Sequence, residues 1–94
     1  MSRRHEYVDR MKAQLDEMNA KIDELQAKRG QAEVKAKEEY QEKVATFRER
    51  ADAARAKLRE IRESPEESWE ELKVEMEKIR EALVHSYRYF KSQL

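Results

Sequence analysis

Apolar residues recur along this chain at alternating intervals of three and four. In the first segment Val8, Met11, Leu15, Met18, Ile22 and Leu25 are spaced 3, 4, 3, 4 and 3. This is the a/d seam of a coiled coil carried by an exposed amphipathic helix. Glu6/Arg10, Glu17/Lys21 and Glu24/Lys28 stand between the seam positions as acid-to-base pairs one turn apart, each adding about 0.2–0.5 kcal/mol of helix stability. The seam fades from Arg29 to Glu39, where Ala32, Val34 and Ala36 are the only apolar residues. It returns as Tyr40, Val44, Phe47, Ala51, Ala54, Leu58 and Ile61 in a frame displaced by one residue, since Val8 and Val44 lie 36 apart rather than 35. A helix can absorb such a residue by local unwinding, or the chain can turn.

Gly30 decides between these. Lys28-Arg29-Gly30 has the form of a helix end, with cations in the last turn and Gly beyond it. No Ser, Thr, Asp or Asn follows to cap a new helix, and Gly inside a helix costs only about 1 kcal/mol. The reading therefore favours one continuous helix and keeps a turn at Gly30 as the alternative. The clear break is Ser64-Pro65-Glu66-Glu67. Ser64 is read as the cap, Pro65 as the first helical residue and Glu67 as the far member of a capping box. The last helix carries Trp69, Leu72, Met76, Ile79, Leu83, Tyr87, Phe90 and Leu94 at intervals of three and four. Its first half is acidic (Glu66, Glu67, Glu70, Glu71, Glu75 and Glu77 against Lys73), and its end holds His85, Arg88 and Lys91; both suit the helix dipole. Folded back, the acidic half would lie beside Arg48, Arg50, Arg55, Lys57, Arg59 and Arg62.

These elements predict an all-α protein of one domain, 1–94: an antiparallel helical hairpin with a long helix over about 4–63 and a shorter one over about 65–93. The short helix covers only half of the long one, which leaves the Val8–Leu25 seam without a partner. Leaving six large apolar side chains in water forgoes about 1.5–3 kcal/mol each, so the reading adds a homodimer closing a four-helix bundle. The alternative is a three-helix bundle within one chain, with the turn at Gly30.

Composition strengthens the helical reading. Ala, Glu, Lys, Leu and Arg supply 55 of the 94 residues, with one Gly, one Pro and no Cys, the usage of a coiled coil or long helix. Twenty-one cations balance 21 anions, so a general nucleic-acid binder, which carries a basic surplus, is not expected. No apolar run approaches the roughly 20 residues that span a bilayer. Met1-Ser2-Arg3-Arg4-His5-Glu6 starts basic with no apolar stretch behind it, so no secretory signal is read and the cytoplasm is expected.

Little chemistry is on offer. With no Cys, and with Ser2, Ser64, Ser68, Ser86 and Ser92 outside any triad context, nothing suggests a nucleophile. A single Gly excludes a Gly-rich phosphate loop. The Glu-x-x-His of di-iron bundles fails, because Ala82 stands three before His85 and Ser2 three before His5. His85 with Glu81 or Glu77 one and two turns back, and the cluster Glu66, Glu67, Glu70 and Glu71, read better as solvated helix faces than as metal sites. The expectation is a non-enzyme without metal or cofactor. The run His85-Ser86-Tyr87-Arg88-Tyr89-Phe90-Lys91 mixes bases with aromatics. It suits a docking patch or a membrane-interface foot, but reads first as Tyr87 and Phe90 finishing the seam with Tyr89 on its flank.

Three stretches resemble one family. Tyr7-Val8-Asp9-Arg10-Met11-Lys12-Ala13-Gln14-Leu15-Asp16-Glu17 is similar to the opening of small bacterial coiled-coil stress-response proteins. Ala36-Lys37-Glu38-Glu39-Tyr40-Gln41-Glu42 and Ser68-Trp69-Glu70-Glu71-Leu72-Lys73 look like that family's middle and third segments. Gly30 departs from the Ala-rich sequence expected between them. The resemblance implies a cytoplasmic helical protein linked to stress and carries over no catalytic residues. The functional expectation is a non-catalytic coiled-coil protein acting through self-association and binding a protein partner on a helical surface. The alternative is an amphipathic stress protein of the membrane surface.

Overall fold

The three-and-four spacing forms helix wherever it is sustained. The computed structural model describes residues 3–29 and 34–93, with the side chains of all but 29 and 34–36. It contains α1 (Arg3–Arg29), α2 (Val34–Glu63) and α3 (Trp69–Ser92). α1 and α3 place Glu6, and Glu70 with Glu71, in their first turns, and α2 and α3 place Arg62 and Lys91 in their last, as the helix dipole favours.

The all-α bundle is as expected, but its arrangement is the three-helix one. α1 packs on α2, and α2 on α3. Asp23 meets Arg48 and Asp16 meets Arg55, both at 2.7 Å, so seven residues forward on α1 are seven back on α2 and the pair is antiparallel. The continuous helix over 4–63 is therefore corrected to two helices; Gly30 itself lies outside the described residues. The reason is burial. Folding back places Val8, Met11, Leu15, Met18, Ile22 and Leu25 in the chain's own core, each at most 6 % exposed. The one-residue frame displacement, which burdens a continuous coiled coil, costs nothing between two separate helices.

α3 runs antiparallel to α2, through Lys57–Glu75 at 2.7 Å and Phe47 against Tyr87. The result is an up-down-up rod about 51 Å long and 19 Å across. Its core has two contiguous parts. One gathers Met18, Ile22, Leu25, Tyr40, Val44, Phe47, Ala51, Leu83, Tyr87 and Phe90. The other gathers Tyr7, Val8, Met11, Leu15, Ala54, Leu58, Ile61, Trp69 and Met76, with Leu72 and Ile79 partly buried against it. Every predicted seam residue among the described residues thus lies in the core or on its edge; Leu94 lies outside them.

The predicted cap at Ser64, Pro65 and Glu67 is also corrected. Ser64 serves the helix before it: its hydroxyl donates to the Ile61 carbonyl at 2.7 Å and its N–H to the same oxygen at 3.3 Å. Pro65 has no N–H and disfavours helix at the residue before it, so α2 ends there. The Pro65 carbonyl accepts the Ser68 N–H at 3.0 Å, one turn is interposed, and α3 starts at Trp69. Ser68, at its N-cap, has φ −109° and ψ −13° and makes no side-chain cap bond; a cap hydroxyl ordinarily requires extended backbone. The arginines expected beside the acidic half of α3 mostly turn elsewhere. Arg48 and Arg55 serve α1, Arg50 donates to the Ser86 hydroxyl, and of the α2 cations it is Lys57 that pairs with that half, at Glu75.

Candidate functional site

α2 lies against both other helices, whereas α1 and α3 meet through long side chains. Their seam has two regions of different character.

At the N-terminal ends of both helices the seam is closed by a polar clasp. Tyr7 is 2 % exposed. Its ring packs on Trp69 at 6.0 Å, and Lys73 reaches over both rings at 5.2 and 5.8 Å. The Tyr7 hydroxyl donates to Glu77 Oε1 at 2.9 Å, while Arg80 holds Glu77 Oε2 through Nε at 3.0 Å and Nη2 at 2.7 Å. Arg4 donates to the Ser64 carbonyl and lies 3.5 Å from Glu66. Burial, the hydrogen bond to Glu77 and that carboxylate's charge push the Tyr7 phenol well above its ordinary range. For Glu77, burial pushes the carboxyl up, but hydrogen bonds from Arg80 and Tyr7 with the charges of Arg80 and Lys73 outweigh it and hold it low. The phenol therefore stays protonated as a donor and the carboxylate stays ionised as its acceptor.

One to two turns further on, the seam opens into a groove of about 430 Å³. Its floor is Leu15, Met18, Leu83 and Tyr87, with half-buried Val84 on its wall. Gln14, Glu17 and Lys21 form the α1 rim, and Arg80, Arg88 and Lys91 the α3 rim. A second hollow, between α2 and α3, holds Lys43, Arg50, His85 and Tyr89 over Phe47 and Phe90.

The aromatic run resolves accordingly. Tyr87 and Phe90 complete the core, and Tyr89 stands 64 % exposed. Apart from Tyr89, Val74 at 57 % is the one other large apolar side chain exposed among the described residues. The three methionines of the seam, Met11, Met18 and Met76, are all core. Among the described residues no three His, Asp or Glu side chains gather as metal ligands, and His5 pairs with Asp9 at 3.3 Å.

The heptad reading missed Tyr7, Glu77 and Arg80. In a two-helix seam only a and d positions are covered. In a three-helix bundle each helix faces two neighbours, and flanking positions such as Tyr7 become core. The heptad pattern by itself does not mark such flanking positions.

No known family model matches the chain, and no curated protein or solved structure matches it. No helix among the described residues is long and apolar enough to cross a membrane.

Proposed function

We propose that this chain is a non-catalytic interaction protein that docks a protein partner on its α1/α3 face. The observation that carries the reading is the groove, where a rim with an excess of cations and half-buried Val84 stand over core residues. The seam residues, those beneath the groove included, are consumed in the chain's own core, so that self-association through Val8–Leu25 has lost its driving force. A cytoplasmic, stress-associated role rests on the sequence resemblance alone. Membrane insertion has less support, because Leu83, Tyr87 and Phe90, the apolar face it would use, lie against α2.

Light scattering after size exclusion is expected to give a particle near the 11.3 kDa of one chain; a concentration-independent dimer would restore the self-association reading. Docking is tested by a photo-crosslinking amino acid at Val84, with Glu49 on the exposed face of α2 as control, in the cell that makes the protein. A discrete protein adduct from Val84 and none from Glu49 is the expected result. No adduct, or equal adducts from both, defeats the proposal.

A further inference from the structure

We infer that this chain can exchange its first helix with a second copy of itself: α1 and α2 join end to end as one straight helix, and α1 of each chain closes the bundle of the other. This goes beyond the docking reading above and does not depend on it.

The first observation is phase. The buried residues of α1 and α2 correspond at a constant interval of 36, in six pairs from Val8/Val44 and Met11/Phe47 to Leu25/Ile61. At about 3.6 residues per turn this interval is ten whole turns. The displaced frame that a heptad coiled coil must unwind to absorb is therefore in phase along a straight helix. Two helices joined by a turn need no such agreement, since the link leaves their relative rotation free. A continuous helix does need it, because both halves must present their seams on one side, toward one antiparallel neighbour.

The second is the junction. The first turn of α2 holds no acidic residue, unlike those of α1 and α3, so α2 lacks the charge that marks a helix start. From Arg29 to Ala36 the sequence has no Pro, Ser, Thr, Asp or Asn, the residues that stop or cap helices. Gly30 alone opposes a helix there. Ala32 and Ala36 follow Leu25 at seven and eleven residues, which carries the apolar stripe on to Tyr40.

The third is that the exchange loses no contact. α1 and α2 are antiparallel in constant register, from Asp16 with Arg55 to Asp23 with Arg48. A second chain, related by a two-fold axis at the junction, offers the same partners in the same register. The Tyr7–Glu77 bond and the Tyr7–Trp69 contact pass between chains with them. The Val8–Leu25 seam is buried no more deeply than in the closed chain; only the α2 that receives it changes. Each half of the dimer is again a three-helix bundle with its own groove, and the joined helix over 3–63 spans about 90 Å. Exchange of an identical element is a low-cost route to a dimer. A closed chain must open before it can exchange, so protein never unfolded at high concentration is the monomer expected above.

The test is refolding from urea at about 1 mM and at about 5 μM chain, where mass action favours dimer and monomer respectively, then light scattering after size exclusion. Asp16→Cys and Arg55→Cys, in a chain with no other Cys, are joined by a short bis-maleimide to mark whose α1 is bound. The closed monomer links within one chain; the exchanged dimer links between chains and survives SDS. Concentrated refolding is expected to give the linked dimer, and dilute refolding the monomer. Gly30→Ala should raise the dimer association constant about 30-fold, one Gly cost from each of two chains. Two alanines inserted after Glu33 rotate one seam by about 200° in a continuous helix and should abolish the dimer, whereas four rotate it by only about 40° beyond a full turn and should keep it. Both merely lengthen the link of the monomer, and helical circular dichroism confirms that each folds. No dimer from Gly30→Ala at either concentration overturns the inference. A dimer linked only within its chains overturns it too, being two closed bundles docked together. So does a dimer yield that two and four alanines change alike. The Val84 adduct is indifferent to all of these, so the docking reading stands or falls separately.

Discussion

Phe47→Ala is expected to remove about 3–5 kcal/mol of stability. A chain of this length has about 5–14 kcal/mol in all at ordinary per-residue values, so the variant stands near its unfolding limit. Phe47 sits midway along α2 and is 1 % exposed. Its ring meets Tyr87 edge-on at 5.8 Å and Phe90 at 6.1 Å, and Phe90 in turn meets Tyr40 at 5.5 Å. Truncation therefore removes both transfer energy and the centre of an aromatic group that joins α2 to α3, and the cavity it leaves is walled by rigid rings. Urea unfolding followed by helical circular dichroism reads the loss. A decrease below about 1 kcal/mol would place Phe47 outside the core. Phe47→Leu, which keeps most of the volume, should lose far less.

Helix type and core were legible because both depend on local period. The spacing that defines Val8 through Leu25, Tyr40 through Ile61 and Trp69 through Phe90 is what places those side chains on one helix face, whatever that face packs against. Topology was less legible. Gly30 and the one-residue frame change allow either a helix that runs on or a chain that folds back, and local propensity differs little between them. What decides is the nonlocal burial of six seam residues, which a pattern records only as an apolar face needing a cover. Ser64 shows the same limit at smaller scale. Its hydroxyl can serve the helix before it or the one after, and the local sequence suits both. The groove was invisible for a related reason. Lys21, Arg88 and Lys91 are distant in sequence or separated by core residues, and only the parallel placement of α1 and α3 brings them to one rim.

The clasp at Tyr7 makes the second large prediction, and two substitutions separate its parts. Tyr7→Ala is expected to cost about 3–5 kcal/mol, the usual loss for a buried aromatic, because the ring is buried against Trp69 in one core group with Met11 and Met76. Tyr7→Phe keeps the ring and removes only the donor to Glu77. A hydrogen bond to a charged group contributes about 1.5–3 kcal/mol, offset in part by no longer burying a hydroxyl, so a loss of about 1–2 kcal/mol is expected. The pH dependence identifies the partner. Glu77 is held below the ordinary carboxylate range when folded, so its contribution is fully present above the ordinary Glu value near pH 4.3 and is lost as pH falls through the lower folded value. Tyr7→Phe removes one of the bonds that depress it and should shrink the stability lost between pH 5 and pH 2. Glu77→Gln, which does not titrate, should remove the Glu77 part altogether. Lys57 also holds Glu75 low by a hydrogen bond and its charge, but that carboxylate is exposed and its pair counts for little. Urea midpoints at several pH values, followed by the emission of Trp69, give all three comparisons at the site itself. An acid titration identical in wild type, Tyr7→Phe and Glu77→Gln would mean that the phenol and the carboxylate do not act on one another, and that the α1/α3 seam is closed by apolar packing alone.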